Sequence, residues 1–284
     1  MPFNTSFEQN LSFSLFNSNH ISLLRDDVIH EIISGNKWRK LKHIIDYAVQ
    51  KNIKKIITFG GAYSNHVVAL AYACNHYNIK SAAYIRGNEK RELNHYEKLC
   101  LDLNMELLHI SREEFKNKSD IYYNNSQTDD TLIIKEGGDH ELALIGCKEM
   151  LDDIQSNPDF IVLALGTGTT MEGLVQGVIE KNINSKIIGI STFKNNFDLD
   201  KRMSKYPTKH WDIMHGYERG KYGKIDENLI HYIKMFYDET GIKTEPIYTG
   251  KMLMAVEDLL QKKYFTSENK ICLIHTGGLL SFPQ

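Results

Sequence analysis

A lysine in a basic segment and a glycine turn further along the chain are the residues that most directly suggest chemistry. Lys37 lies in the segment Ser34-Gly-Asn-Lys-Trp-Arg-Lys40, and the later segment reads Gly60-Gly-Ala-Tyr-Ser-Asn-His66. Lysine is the side chain that forms Schiff bases with carbonyl groups. The two segments therefore suggest a carbonyl cofactor that is held by an amine.

Two further glycine turns follow apolar runs that we predict to be strands. Gly166-Thr-Gly-Thr-Thr170 follows the run 160–165 and precedes a helix-like pattern, and Thr276-Gly-Gly278 follows the run 271–275. Backbone N–H groups converge in such turns, and a helix N-terminus favours an anion. The first turn suits a phosphate, although it has neither the lysine of a Walker motif nor the third glycine of GxGxxG. Taken alone, each turn is also explained by ordinary chain reversal.

Strand-like and helix-like segments alternate along most of the chain, which predicts an α/β fold with parallel sheets and crossover helices. The candidate strands are 28–33, 54–59, 81–85, 105–110, 131–134, 160–165, 186–191 and 271–275. The candidate helices are 38–51, 65–78, 91–103, 140–155, 170–182, 225–240 and 250–263. The stretch 193–223 breaks this rhythm and predicts a long loop or an active-site flap. Ligands bind beyond the carboxyl ends of parallel strands. We therefore expect the lysine segment and the glycine turns, which all follow predicted strands, to converge on one cleft.

Composition excludes several classes of protein. The chain has 284 residues, 42% of them hydrophobic and 25% charged, which suits two α/β lobes of a soluble protein. The formal net charge of -2 favours neither a nucleic-acid nor a membrane surface. The four cysteines form no CxxC pair, and the N-terminus lacks a signal-peptide pattern, so we expect a cytoplasmic protein with reduced thiols. The scattered histidines show no ligand spacing, and we expect no metal site.

Five ordered motifs resemble those of pyridoxal-phosphate enzymes in the 1-aminocyclopropane-1-carboxylate deaminase and D-cysteine desulfhydrase family. Gly35-Asn-Lys-Trp-Arg-Lys-Leu41 resembles GNKxRKL, and Gly60–His66 resembles GGxQSN(H/Q). The turn Gly166–Thr170 sits where the family has its phosphate cup. Glu245-Pro-Ile-Tyr-Thr-Gly-Lys-Met252 resembles DPVYxGK(S/A)M, and His275-Thr-Gly-Gly-Leu279 resembles the terminal (H/L)GG turn. The resemblance covers roughly residues 25–284.

The resemblance implies the tryptophan synthase β-like fold, also called fold type II, in which the cofactor pyridoxal 5'-phosphate lies between two open parallel-sheet lobes. The larger lobe would comprise residues 1–39 and 140–284, and the smaller inserted lobe residues 40–139. The resemblance further implies a lyase or hydrolase of amino-acid catabolism that acts as a homodimer on a small amino-acid substrate.

The resemblance also implies a role for individual residues. Lys37 would form the Schiff base and move the substrate's α-proton. Ser64 would face the substrate carboxylate or the reacting carbon, with Tyr248 and Tyr222 as the two tyrosines of the active site. The remaining residues would bind the cofactor: Lys40 with Gly166, Thr167, Gly168, Thr169 and Thr170 at the phosphate, Asn65 at the ring hydroxyl oxygen, Thr249 at the pyridine nitrogen, and Gly277 against the ring.

Position 249 separates the two branches of the family. Relatives that deaminate the cyclopropane amino acid have a glutamate there, which pairs with the pyridine nitrogen, whereas this chain has Thr249. A hydroxyl cannot keep that nitrogen protonated as a carboxylate can, so the electron sink is weaker and suits β-elimination of a good leaving group. Thr249, and more weakly His66, therefore point to D-cysteine desulfhydrase. Tyr63 replaces the family's usual glutamine and leaves the substrate open.

Four alternatives remain beside elimination from D-cysteine. Two are enzymes of the same fold: a 1-aminocyclopropane-1-carboxylate deaminase, and a racemase or dehydratase of D-serine or a similar amino acid. A protein that binds the cofactor or a phosphorylated ligand without turnover is disfavoured, because Lys37 and Ser64 are both present. A dinucleotide-binding module is disfavoured by the missing third glycine after Gly168.

Overall fold

The computed structural model describes residues 3–16, 20–33, 35–87, 92–117, 122–123, 128–193, 197–218 and 225–281. Within them, residues 37–146 form one unit, and residues 3–36 with 147–284 form a second. The strands are β1 (Glu8–Asn10), β2 (His20–Leu24), β3 (Lys55–Gly61), β4 (Lys80–Arg86), β5 (Met105–Ile110), β6 (Thr131–Ile133), β7 (Phe160–Leu165), β8 (Lys186–Ser191), β9 (Trp211–Met214) and β10 (Lys270–Ile274).

Helices connect most of these strands. The α-helices are α1 (Asn36–Gln50), α2 (Asn65–His76), α3 (His95–Asp102), α4 (Arg112–Lys116), α5 (Glu141–Lys148), α6 (Thr169–Glu180), α7 (Phe197–Met203), α8 (Glu227–Thr240) and α9 (Thr249–Gln261). Short 3-10 helices lie at Ser14–Phe16, Asp26–Val28, Glu136–Gly138, Glu149–Asp153, Thr208–His210 and Leu279–Ser281. No helix among the described residues is long and apolar enough to cross a membrane.

Each unit is built on its own sheet. The unit of residues 37–146 has four parallel strands in the order β5-β4-β3-β6. The other unit has six strands in the order β1-β2-β10-β7-β8-β9, all parallel except β1 with β2. Since parallel strands need crossover connections, the helices between them cover the sheets. The expected α/β fold with parallel sheets is confirmed.

The six-stranded sheet has a hydrophobic core on each face. Along β7, Val162 and Ala164 pack into one core, with residues of α8 and α9. Ile161 and Leu163 point to the other core, with residues of α6 and α7. Side chains alternate between the faces of a strand, so a strand buried on both sides must be apolar throughout. This burial explains the continuous apolar run of β7.

Two predictions about secondary structure are wrong. Residues 28–33 do not form a strand: Asp26–Val28 is a 3-10 helix, and the strand paired with β10 is β2. Ile29 and Ile33 are nonetheless buried, so the apolar run fills the core without joining the sheet. The stretch 193–223 is not one long loop, because it contains α7 and β9. The sequence predicted that the lysine segment follows a strand directly, and in the structure it does not.

Candidate functional site

The backbone before Lys37 is fixed against the third glycine turn. Gly35 has φ +61°, and a Cβ atom there would lie 2.1 Å from the carbonyl oxygen of Thr276, so glycine is required. The N–H of Gly35 donates to the carbonyl of Asp26 at 2.8 Å, and the N–H of Asn36 donates to Thr276 at 3.3 Å. Helix α1 begins at Asn36, which places Lys37, half-buried, in its first turn.

The side chain of Asn36 connects the same backbone to the second glycine turn. Its Nδ2 donates to the hydroxyl oxygen of Thr170 at 3.0 Å, and both residues are buried. Asn36 thus joins the chain next to Lys37 to Thr170 by its side chain and to Thr276 by its backbone. This role was not predictable from the sequence, because an asparagine before a lysine carries no sign of a partner so distant in the chain.

The turn Gly166–Thr170 opens helix α6. Gly168 is the N-cap in the left-handed conformation with φ +86°, and as a glycine it supplies no side-chain cap to the helix. The first N–H groups of a helix have no partner within it, and they favour an anion. Thr169 and Thr170 are buried in the first turn, and the hydroxyl oxygens of Thr167 and Thr169 lie 3.4 Å apart. This arrangement can bind a phosphate.

A buried carboxylate organises the start of helix α9. Glu245 accepts hydrogen bonds from the N–H groups of Ile247 at 2.7 Å, Tyr248 at 3.0 Å and Thr249 at 2.6 Å. Burial raises the pKa of Glu245, although these three hydrogen bonds oppose the shift. The carboxylate therefore fixes the backbone that carries Tyr248 and Thr249, a function that the motif comparison did not reveal.

The side chains of Tyr248 and Thr249, which this backbone carries, have different surroundings. The ring of Tyr248 covers the glycine turn, because a Cβ on Gly166 would lie 3.3 Å from Cε1 of that ring. Phe193 packs edge-on against the ring at 5.4 Å between centroids. Thr249 is 1% exposed, and its hydroxyl has no hydrogen-bond partner among the described residues. An unpaired buried hydroxyl is costly, so Thr249 has the character of a ligand contact.

The start of helix α2 in the other unit carries two predicted site residues. Ser64 is the N-cap, and its hydroxyl oxygen accepts the N–H of Val67 at 3.4 Å, which leaves the hydroxyl proton available to donate. Asn65 follows as the first helical residue, and its Oδ1 is buried with no hydrogen-bond partner in the described part of the chain. Asn65 therefore also has the character of a ligand contact.

Lys40 and His66 belong to one buried cluster in the unit of residues 37–146. Lys40 is 4% exposed, and its Nζ donates to the carbonyl of Gly137 at 2.8 Å. The hydroxyl of Thr58 donates to Ile134 and so accepts from Nε2 of His66 at 2.9 Å. Burial, followed by the charges of Lys40 and Lys37, lowers the pKa of His66 to about 3. His66 is therefore neutral, and the proposed phosphate contact of Lys40 stays a prediction.

The other predicted site residues have the following places. Gly277 has φ +74°, and its N–H donates to Nδ1 of His275 at 3.2 Å, which orients the third glycine turn. Tyr63 is 56% exposed, and its ring meets Tyr96 edge-on at 5.7 Å between centroids. Tyr222 lies outside the described residues. No cluster that could hold a metal ion occurs in the described ranges.

The lysine of the motif Glu245–Met252 has a structural role that was not predicted from the sequence. Lys251 is 1% exposed in the first turn of α9, and its Nζ donates to the carbonyls of Thr192 at 3.2 Å and Glu218 at 2.8 Å. It thus ties the chain after β8 to the start of the helix that carries Thr249. Its position among the apolar residues of α9 is the sequence feature that indicates a buried lysine.

Comparison with known proteins identifies the class. Residues 10–277 match the family model described as pyridoxal-phosphate dependent enzyme, so the chain belongs to this family. It is 27% identical, over 92% of its length and 89% of the relative, to a Thermotoga maritima protein provisionally named 1-aminocyclopropane-1-carboxylate deaminase. It is 26% identical to the bifunctional D-cysteine desulfhydrase/1-aminocyclopropane-1-carboxylate deaminase of Arabidopsis thaliana, over 93% of this chain and 73% of that one.

A solved structure agrees with these relatives. The crystal structure of an ACC deaminase homologue has a TM-score of 0.77 and 26% identity, and the match covers 92% of this chain and 85% of that one. The fold is thus tryptophan synthase β-like, and the protein is a pyridoxal-phosphate-dependent enzyme that is similar to proteins named as deaminases and desulfhydrases. The expectation of a hydrolase is wrong, since the relatives are named as deaminases and a desulfhydrase.

The residues in each unit fit the cofactor that this family uses. Among the described residues, the hydroxyl of Thr249 and the Oδ1 of Asn65 have no hydrogen-bond partner. The first suits a pyridine nitrogen, and the second suits a ring hydroxyl group. The start of α6, where a glycine is the N-cap, suits a phosphate, and the half-buried Lys37 could supply the amine.

Proposed function

We propose that this enzyme is a lyase that performs α,β-elimination on D-cysteine or a similar β-substituted D-amino acid. The products would be pyruvate, ammonia and hydrogen sulfide. The observation that carries the proposal is the buried hydroxyl of Thr249, which has no hydrogen-bond partner among the described residues. It follows Tyr248 at the position where the cyclopropane deaminases have a carboxylate.

Thr249 favours elimination for an electrostatic reason. A carboxylate beside the pyridine nitrogen would hold a proton there, whereas a threonine hydroxyl donates a hydrogen bond to the unprotonated nitrogen. When bound, the cofactor withdraws electrons from the substrate's Cα, and an unprotonated ring withdraws them less. Negative charge then cannot persist at Cα, so a substrate whose Cβ substituent departs readily is favoured over one whose ring must be opened.

The side chains would divide the work as follows. Lys37 binds the cofactor, and its amine then accepts the α-proton of the substrate. Ser64 donates its hydroxyl proton to the substrate carboxylate, because its oxygen already accepts the N–H of Val67. Tyr248, whose ring lies against Gly166 of the glycine turn, contacts the substrate.

The reaction balances without an external oxidant or reductant. The Cα–H bond breaks and its proton passes to Lys37, while the Cβ–S bond breaks and its electron pair leaves with sulfur. Protonation of the sulfur gives hydrogen sulfide. The remaining unsaturated amine takes up water and yields pyruvate and ammonia. The leaving sulfur thus carries away the charge that the weaker electron sink cannot hold.

An assay of four substrates tests the proposal: D-cysteine, L-cysteine, D-serine and 1-aminocyclopropane-1-carboxylate. We expect hydrogen sulfide release from D-cysteine to exceed 2-oxobutanoate release from the cyclopropane amino acid. The reverse ranking would identify a deaminase and overturn the argument from Thr249. We further expect Lys37→Ala to abolish the visible absorbance of the bound cofactor, and Lys42→Ala on the same helix to retain it.

A further inference from the structure

Helix α7 packs against the turn that we assign to the cofactor phosphate. A Cβ on Gly168 would lie 2.4 Å from Cδ2 of Leu199, so helix and turn are in direct contact. Leu199 is buried, which fixes the helix against the core. This helix lies in the stretch that the sequence predicted to be a loop, and the proposed function assigns no role to it.

Arg202 on α7 contacts both the turn and the helix that follows it. Its Nη1 donates to the carbonyl oxygen of Thr167 at 3.3 Å, and its Nε lies 2.5 Å from Oε2 of Glu172. Glu172 is 3% exposed and lies in the first turn of α6. One guanidinium group therefore connects the middle of the turn to the start of the helix.

The contact with Thr167 fixes the direction of the next backbone N–H. The carbonyl and the N–H of a trans peptide point in opposite directions. Because the carbonyl of Thr167 points to Arg202, the N–H of Gly168 points away from α7. Arg202 thus orients one of the donors that an anion at the start of α6 requires.

The contact with Glu172 removes an electrostatic conflict. A carboxylate in the first turn of α6 would repel a phosphate bound at the same helix end. Glu172 is compensated by Arg202, by Nζ of Lys205 at 2.6 Å and by the hydroxyl of Tyr206 at 3.0 Å. Burial acts to raise the pKa of Glu172, but the contacts with Lys205 and Arg202 outweigh it and keep the pKa below its ordinary value.

We propose that Arg202 is a positioning residue for the cofactor phosphate, which it serves by orienting the Thr167–Gly168 peptide and by neutralising Glu172. This inference rests on the proposed function only in that the enzyme binds pyridoxal phosphate. It predicts that Arg202 contributes to the affinity for a ligand that carries a phosphate and does not contribute to the affinity for the same ligand without the phosphate.

The test compares the binding of pyridoxal phosphate with that of pyridoxal, which lacks the phosphate. Both are titrated into the apo-protein and followed by visible absorbance. For Arg202→Gln we expect the Kd of pyridoxal phosphate to rise about tenfold, as for one charge-assisted hydrogen bond. The Kd of pyridoxal should stay unchanged. Lys201→Gln removes the same charge from an exposed neighbour on α7 and should leave both constants unchanged.

A double variant separates positioning from simple destabilisation. In Arg202→Gln/Glu172→Gln the repelling carboxylate is absent, so affinity for pyridoxal phosphate should recover in part. Arg202→Lys keeps the charge that faces Glu172 and should fall between wild type and Arg202→Gln. An unchanged preference for pyridoxal phosphate in Arg202→Gln, or equal loss of both ligands, would overturn the inference. If the wild type bound pyridoxal phosphate but did not act on D-cysteine, only the proposed function would fail.

Discussion

The side-chain amide of Asn36 donates a hydrogen bond to the hydroxyl of Thr170, 3.0 Å away and 134 positions later in the chain. The two residues belong to the segments that supply the proposed covalent anchor and the proposed phosphate turn. The residue immediately before Lys37 is therefore tied to the start of α6. Cofactor affinity should depend on this hydrogen bond, although neither side chain needs to react.

A double-mutant cycle between Asn36 and Thr170 measures this connection. Asn36→Ala removes the donor, and Thr170→Val removes the acceptor while keeping the shape of the side chain. We expect each single variant to weaken pyridoxal phosphate binding and the two to couple by about 1 kcal/mol, the usual worth of a buried hydrogen bond. Thr170→Ser keeps the hydroxyl and serves as the control. Additive effects in the titrations would mean that the contact does not contribute.

Gly35→Ala should strongly destabilise the fold. The substitution combines a left-handed backbone, φ +61°, with a Cβ only 2.1 Å from the carbonyl oxygen of Thr276. We expect a loss of about 3 kcal/mol or more in the free energy of unfolding, because strain and steric overlap add. Gly241→Ala is the matched control: its φ is +68°, but nothing lies within 4 Å of the added atom. Its cost should be about 1 kcal/mol. Equal losses in urea unfolding would contradict the role of Thr276.

The sequence predicted most accurately the elements whose residues are buried on both sides. The bounds of β7 and β8 agree with the predicted 160–165 and 186–191, because a strand between two cores must be apolar throughout. The run 28–33 misled for the same reason, since Ile29 and Ile33 are buried without belonging to the sheet. An apolar run therefore predicts that a segment is buried, but it does not predict whether the backbone of that segment joins a sheet.

The site was predictable only where the chemistry of a residue is visible in its type. Lys37, Thr249 and the glycine turns stand out by residue type and motif, whereas Asn36 and Arg202 act through partners that are distant in the chain. A single sequence does not show which asparagine meets which threonine. These two residues therefore became visible only as contacts in the structure.

His66 should make the stability of the protein depend on pH. Its folded-state pKa of about 3 lies below the unfolded value, because burial and then the charges of Lys40 and Lys37 oppose protonation. The unfolded state therefore binds the additional proton, and stability falls as the pH drops from about 6.5 towards 3, by up to about 1.4 kcal/mol per pH unit. Above about pH 6.5 this contribution is constant.

Urea unfolding between pH 7 and pH 4 tests this dependence. In His66→Gln the side chain no longer titrates, so the loss of stability on acidification should be smaller than in the wild type. His231→Gln replaces an exposed histidine on α8 and should keep the wild-type slope. The same slope in wild type and His66→Gln would show that His66 does not remain neutral in the folded protein.

Thr249→Val should affect the apo-protein and the loaded enzyme in opposite directions. The Thr249 hydroxyl is buried with no hydrogen-bond partner among the described residues, so its removal should leave the apo-protein equally stable or slightly more stable. If the hydroxyl bonds the pyridine nitrogen, the same change should weaken pyridoxal phosphate binding by about tenfold. Thr244→Val is the matched control, because the hydroxyl of Thr244 is equally buried and also unpaired in the described chain. It should show the effect on apo-protein stability without the loss of affinity.

Thermal unfolding without cofactor and absorbance titration with it measure the two quantities separately. Unchanged cofactor affinity in Thr249→Val would remove Thr249 from the ring contact and, with it, the main argument for elimination over ring opening.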